Sequence, residues 1–129
     1  MATEYLDLDD ALDAYAEAVE VSLDQAKEAL LNLGQLESAL ARPQNAAAYE
    51  NADVARQAAS LFWGVAANHA FRDGNKRTAA VLLRSFLNLN GYDMTLSEDE
   101  MFLLAVGVAD GRLAVDAVEA SMRPEILPL

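Results

Sequence analysis

His69-Ala70-Phe71-Arg72-Asp73-Gly74-Asn75-Lys76-Arg77 runs directly into Thr78-Ala79-Ala80-Val81-Leu82-Leu83-Arg84-Ser85-Phe86-Leu87. The second stretch is apolar at helical spacing and holds no glycine or proline, which predicts a helix over 75–90. A charged loop therefore stands at a helix N-terminus. Free N–H groups and the positive end of the helix dipole favour an anion there. Gly74 reaches conformations closed to bulkier residues and lets backbone N–H groups face a phosphate closely. Asp73 has the hard oxygen chemistry of a Mg²⁺ ligand. Lys76 and Arg77 neutralise phosphate charge, one as a point charge and the other as a fork. Both cations oppose the dipole of the helix they begin, a conflict that an anionic ligand would relieve. His69, the one histidine of the chain, accepts a proton near neutral pH. Phe71 is apolar inside a polar run and reads as the peg that pins the loop to the core.

Outward from the loop, the preceding helix is expected over about 53–68. It carries Val54, Ala58, Leu61, Phe62, Val65 and Ala66, and its later half is apolar on most sides, so it belongs at the centre. Asp53 or Asn51 caps its start. Phe62 and Trp63 read as core, and Asn68 as a hydrogen-bonding aid to His69. This helix and 75–90 should pack on each other and hold the loop between them. Asn90-Gly91 ends the second helix. Residues 92–96 are at most one strand of a small hairpin. Ser97 and Glu100 form a capping box for a helix over 98–109, and a last helix covers about 113–122. Towards the N-terminus, 7–33 reads as one or two helices, with Asp7 or Asp9 as a cap and Ser22 with Gln25 as a second capping box. Their acids form a solvated face. Gly34 interrupts this pattern, 35–41 reads as a short helix ended by Pro43, and 44–51 as a linker. Arg42 is expected on the surface or at a hinge. The fold expected is all-α, about six helices with at most a minimal β-hairpin, as a single domain over residues 1–129.

Composition narrows the function. Hydrophobic residues make up 53% of the chain, enough to exclude disorder. There is no cysteine, so disulfides and thiol chemistry are excluded and a reducing, cytoplasmic setting fits. The opening Met1-Ala2-Thr3-Glu4-Tyr5 has no signal-peptide pattern, and no apolar run approaches a membrane span. A net charge of −12 opposes broad contact with nucleic acid. The local exception lies between Val54 and Tyr92, where the cations are Arg56, Arg72, Lys76, Arg77 and Arg84 and the only acid is Asp73. That imbalance suits phosphate. Ala70 and Arg72 sit at variable positions; Arg72 reads as either a phosphate or target contact or a solvent-exposed side chain.

His-x-Phe-x-Asp-Gly-Asn-Lys-Arg at 69–77 resembles the signature of the Fic/Doc superfamily, and specifically its Doc branch. Seven fixed positions in nine make the pattern specific. In Fic adenylyltransferases a Gly usually follows the Asn and a second Arg comes three residues after the first; here these positions hold Lys76 and Ala80. Two more stretches resemble Doc proteins: Gly34-Gln35-Leu36-Glu37-Ser38-Ala39-Leu40-Ala41-Arg42-Pro43-Gln44 and Leu87-Asn88-Leu89-Asn90-Gly91-Tyr92. An Arg that often precedes the Gly by three is Leu31 here, so its role does not carry over. The self-inhibitory Ser/Thr-x-x-x-Glu-Gly/Asn helix of many Fic proteins is not found, since Ala46 stands four residues before Glu50-Asn51.

The resemblance implies a toxin of a toxin–antitoxin pair. It would transfer a phosphoryl group from ATP to a Ser or Thr of elongation factor Tu and halt translation. Mg²⁺ on Asp73, a cradle at Gly74 and Asn75, charge from Lys76 and Arg77, and His69 as base are the parts expected. A small antitoxin would dock its C-terminal segment on the toxin. Physics alone leaves open whether the α- or the γ-phosphorus is attacked. The alternatives are an adenylyltransferase of the same fold and a degenerate member that only binds, against which the intact His69, Asp73, Asn75 and Arg77 argue.

Overall fold

Phe62 and Phe86, both fully buried, mark the helix pair on which the other elements are laid. In a computed structural model describing residues 2–129, they lie on α4 (Val54–Asn68) and α5 (Asn75–Leu89), which pack against each other as expected. Before them come α1 (Leu8–Val19), α2 (Leu23–Ala29) and α3 (Leu33–Glu50). After them come β1 (Tyr92–Met94), α6 (Glu98–Ala109), α7 (Val115–Met122), a 3₁₀ turn over Arg123–Glu125, and β2 (Ile126–Pro128). The fold is all-α with one small two-stranded sheet. None of the described helices is long and apolar enough to cross a membrane.

Side-chain caps set most helix starts. Asp7, Ser22, Asn32, Asp53 and Ser97 each accept a backbone N–H in the first turn of α1, α2, α3, α4 and α6. Of the alternatives left by the sequence, Asp7 rather than Asp9 caps α1, and Asp53 rather than Asn51 caps α4. The stretch 7–33 resolves into two helices with α3 beginning at its end, which raises the count above six.

Several expectations are corrected. Residues 35–41 are not a short helix and 44–51 are not a linker. Gly34 sits inside the first turn of α3, which continues through Pro43 to Glu50. Proline removes one helical hydrogen bond and crowds the preceding turn, but packing on α4 overrides that cost. Leu36, Ala39, Pro43 and Ala46 share one buried face. Gly64 of α4 lets the two backbones close up: a Cβ there would stand 3.2 Å from Ala39 Cα. Arg42 Nε donates to Ser60 O at 3.0 Å and the guanidinium lies 4.6 Å over the Trp63 ring. Arg42 is thus a strut between the helices and not a surface or hinge residue.

The strand at 92–96 does not form a hairpin. β1 pairs antiparallel with the C-terminal β2, Tyr92 opposite Pro128 and Met94 opposite Ile126. The chain end is thereby tied down beside the C-terminus of α5. The last helix begins at Val115 rather than 113, because Leu113 is still in the turn, its N–H donating to Gly107 O at 2.9 Å.

Candidate functional site

The loop between α4 and α5 is stitched on three sides. Ala70 O accepts from the N–H groups of Leu31 at 2.9 Å and Asn32 at 3.0 Å, and Arg72 N donates to Ala29 O at 2.8 Å. Phe71 is 2% exposed and stacks on Tyr15 of α1 with centroids 4.3 Å apart and planes 17° apart. It pins the loop as its apolar character suggested. The Asn75 side chain closes the loop on itself: Nδ2 donates to Phe71 O at 2.9 Å and Oδ1 accepts from Phe71 N at 3.0 Å. Both polar atoms of that side chain thus serve the loop's own backbone.

Gly74 is the N-cap of α5 with φ 71°, a left-handed conformation that favours glycine. A Cβ here would stand 2.6 Å from Val19 Cγ2, so a larger residue would also have to displace that side chain. No side chain caps α5, and its first turn carries Lys76 and Arg77 but no acid. Thr78 Oγ1 donates to Gly74 O at 2.8 Å and steadies the turn from below.

Asp73 Oδ1 accepts the Tyr15 O–H at 2.7 Å, and among the described residues that is the only hydrogen bond its carboxylate makes. Burial pushes the Tyr15 hydroxyl above its ordinary value, and the bond to Asp73 adds to this, so the phenol keeps its proton and remains a donor. Val19, Asp73, Gly74, Asn75, Lys76, Arg77 and Phe102 line one open cleft of about 300 Å³. A larger groove of about 860 Å³ between α1, α5 and α6 adjoins it, with Arg77 and Phe102 common to both.

His69 is not part of that lining. It is the C-cap of α4, exposed and left-handed at φ 50°. The structure therefore gathers Asp73, Gly74, Asn75, Lys76 and Arg77 in one cleft and puts the imidazole at the loop's other end. Asn68, expected to aid His69, donates instead to Gln35 O at 3.1 Å and braces α4 to α3.

The cations divide into two groups. Arg56, counted with the loop from sequence, belongs elsewhere: it pairs with Glu50, Asp116 and Glu119. Among the described residues Arg72, Lys76, Arg77 and Arg84 make no ion pair, although acids outnumber bases 21 to 9. Of these, Lys76 and Arg77 line the smaller cleft, whereas Arg84 lies in the larger groove with Glu17, Glu20, Glu98 and Asp99.

No group of three or more His, Asp or Glu side chains able to hold a metal occurs among the described residues. A closed zinc-type cage is thus not on offer. One carboxylate beside the uncapped start of α5 does fit Mg²⁺, which commonly keeps several waters and takes further ligands from substrate phosphates.

Sequence reasoning missed Tyr15 and Phe102. Tyr15 carried one usable signal: it lies three residues after Leu12 and four before Val19, a helical spacing of apolar residues along α1.

An uncapped helix start flanked by a carboxylate and unpaired cations makes the loop before α5 the candidate site of this protein. The chain belongs to the Fic/DOC family, whose family model matches residues 5–87, from before α1 to near the end of α5. It is 36% identical to "Toxin Doc" of Mycolicibacterium smegmatis, over 93% of this chain and 92% of that protein.

Proposed function

We propose that this protein is a Doc-type toxin that moves a phosphoryl group from ATP to a Ser or Thr hydroxyl of a protein target, elongation factor Tu, and so halts translation. The observation that carries the reading is the cleft itself: the uncapped start of α5, flanked by Asp73 and the unpaired Lys76 and Arg77. The 36% identity to a protein named Toxin Doc supports the toxin role.

Each residue then has a task. The backbone N–H groups at Asn75 and the start of α5 receive one phosphate. Lys76 and Arg77 stabilise charge on the group in transfer. Asp73 would hold Mg²⁺, which would supply positive charge against the phosphates. His69, exposed at the end of α4, takes the proton of the attacking hydroxyl at an imidazole nitrogen. Lys76 in place of the usual Fic glycine and Ala80 in place of the second arginine favour attack at the γ-phosphorus over AMP transfer. The antitoxin is proposed to lay its C-terminal segment in the groove between α1, α5 and α6. Glu17, Glu20, Glu98 and Asp99 on its walls suit a segment with basic flanks.

The test is incubation with elongation factor Tu and ATP labelled at either the γ or the α position. Label arriving from γ supports the kinase. Label arriving from α replaces it with adenylyl transfer. No transfer, together with equal growth of bacteria expressing wild type and His69→Ala, replaces it with a binding protein.

A further inference from the structure

Tyr15 lies outside the motif yet meets it at three residues. Its ring stacks on Phe71 at 4.3 Å. Its Cε2 would stand 3.3 Å from a Cβ at Gly74. Its hydroxyl donates to Asp73 Oδ1 at 2.7 Å across 58 positions of sequence. The ring is 2% exposed, whereas Asp73 is exposed on the surface. A rigid donor thus holds a side chain that would otherwise turn freely.

We propose that Tyr15 is a positioning residue for the metal-binding carboxylate, fixing Asp73 by one oxygen so that the other is presented to a divalent cation in the cleft. The inference rests on the reading of Asp73 as the Mg²⁺ ligand and adds the device that aims it. Mg²⁺ demands near-ideal octahedral geometry. A free aspartate must give up side-chain rotation when it binds, and the bond from Tyr15 removes much of that cost beforehand. Outer-shell donors to metal ligands act this way in general, and their loss lowers metal affinity by about 10–100-fold. The same phenol also couples α1 to the loop, so a shift of α1 would turn the carboxylate.

The ring and the hydroxyl are separable. Tyr15→Phe keeps the stack on Phe71 and the contact at Gly74 and removes only the donor. The experiment measures the affinity of the full chain for the non-hydrolysable ATP analogue AMP-PNP, with Mn²⁺ and with excess EDTA, by titration calorimetry. The ratio of the two affinities isolates the metal. In wild type the ratio should be well above one; in Asp73→Ala it should fall to one. Tyr15→Phe should lower it by about tenfold, the low end for an outer-shell partner, with metal-free affinity unchanged.

A Tyr15→Phe ratio equal to wild type, with Asp73→Ala abolished, overturns the role of Tyr15 and leaves Asp73 as ligand. A wild-type ratio of one removes the metal reading and this inference with it. Equal losses with and without metal mark Tyr15 as structural only. A second reading uses the wild type alone and does not depend on the variant folding. The ¹³C resonances of the Asp73 carboxylate and Tyr15 Cζ should move together when Mg²⁺ is added with AMP-PNP. A moving carboxylate beside a still Cζ contradicts the proposal.

Discussion

Two helix starts in this protein are built from similar charges to opposite ends. At the start of α4, Asp53 caps the helix and also pairs with Arg123, while Arg56 in the first turn is tied to Glu50, Asp116 and Glu119. Every charge there has a partner, and the result joins α4 to α7 and the chain end. At the start of α5, Gly74 offers no side-chain cap, and Lys76 and Arg77 stand without acids. The first arrangement spends its electrostatics on the fold. The second leaves donors and positive charge exposed, which is locally unfavourable and useful to a phosphate. The pairing of charges, rather than their number, separates these two helix starts.

Substitutions can break that contrast. The largest effect is expected from His69→Ala. Loss of a general base costs about 10²–10⁴-fold in rate, with the melting temperature unchanged because the side chain is exposed; labelled-phosphate transfer and thermal melting check both. Phe71→Ala should cost about 3–5 kcal/mol of stability, read by urea unfolding, since it empties the site that anchors the loop to Tyr15. Gly74→Ala should cost about 1–2 kcal/mol from the left-handed backbone, and more as its Cβ meets Val19, with transfer lost in step.

The sharpest version is a crossed pair. Arg77→Ala should abolish phosphate binding and yet raise stability slightly, by about 0.3–1 kcal/mol, because a cation leaves the positive end of a helix. Arg56→Ala should do the reverse: transfer unchanged, stability lower by up to about 1 kcal/mol for each pair lost. Calorimetric melting and transfer assays on both variants decide it. A fall in stability in both would show that the two helix starts are not different in kind.

The smallest effect concerns acid. The Arg123 guanidinium, aided by the Arg56 N–H, holds the Asp53 carboxyl below its ordinary value of 3.8. A carboxyl lowered on folding stabilises the protein above its unfolded value, and that contribution disappears as pH falls through the folded one. The melting-temperature gap between wild type and Asp53→Asn should therefore be widest near neutral pH and close below about pH 4.

Much of this was legible locally. Capping residues and helical periodicity sit within a few positions of what they govern, so Ser22, Asp53 and Ser97 announced their helices, and Phe71 announced its burial. Pro43 misled because its local rule is real but was outweighed by the α3–α4 contact at Gly64, which no short window contains. The strand at 92–94 was visible; its partner at 126–128 was not, since pairing across the chain leaves no local mark. In the site, the motif gave the cleft residues, while Tyr15 stayed hidden at 58 positions from Asp73. Arg56 was counted with the cations of the loop, because a charge count ignores direction.

Phosphate binding at the start of α5 can be followed through backbone amide resonances as ATP and Mg²⁺ are added. Gly74, Asn75, Lys76 and Arg77 should move first and farthest, with the amides around Arg56 and Arg123 still. Shifts centred on the start of α4, or none at all, would contradict it.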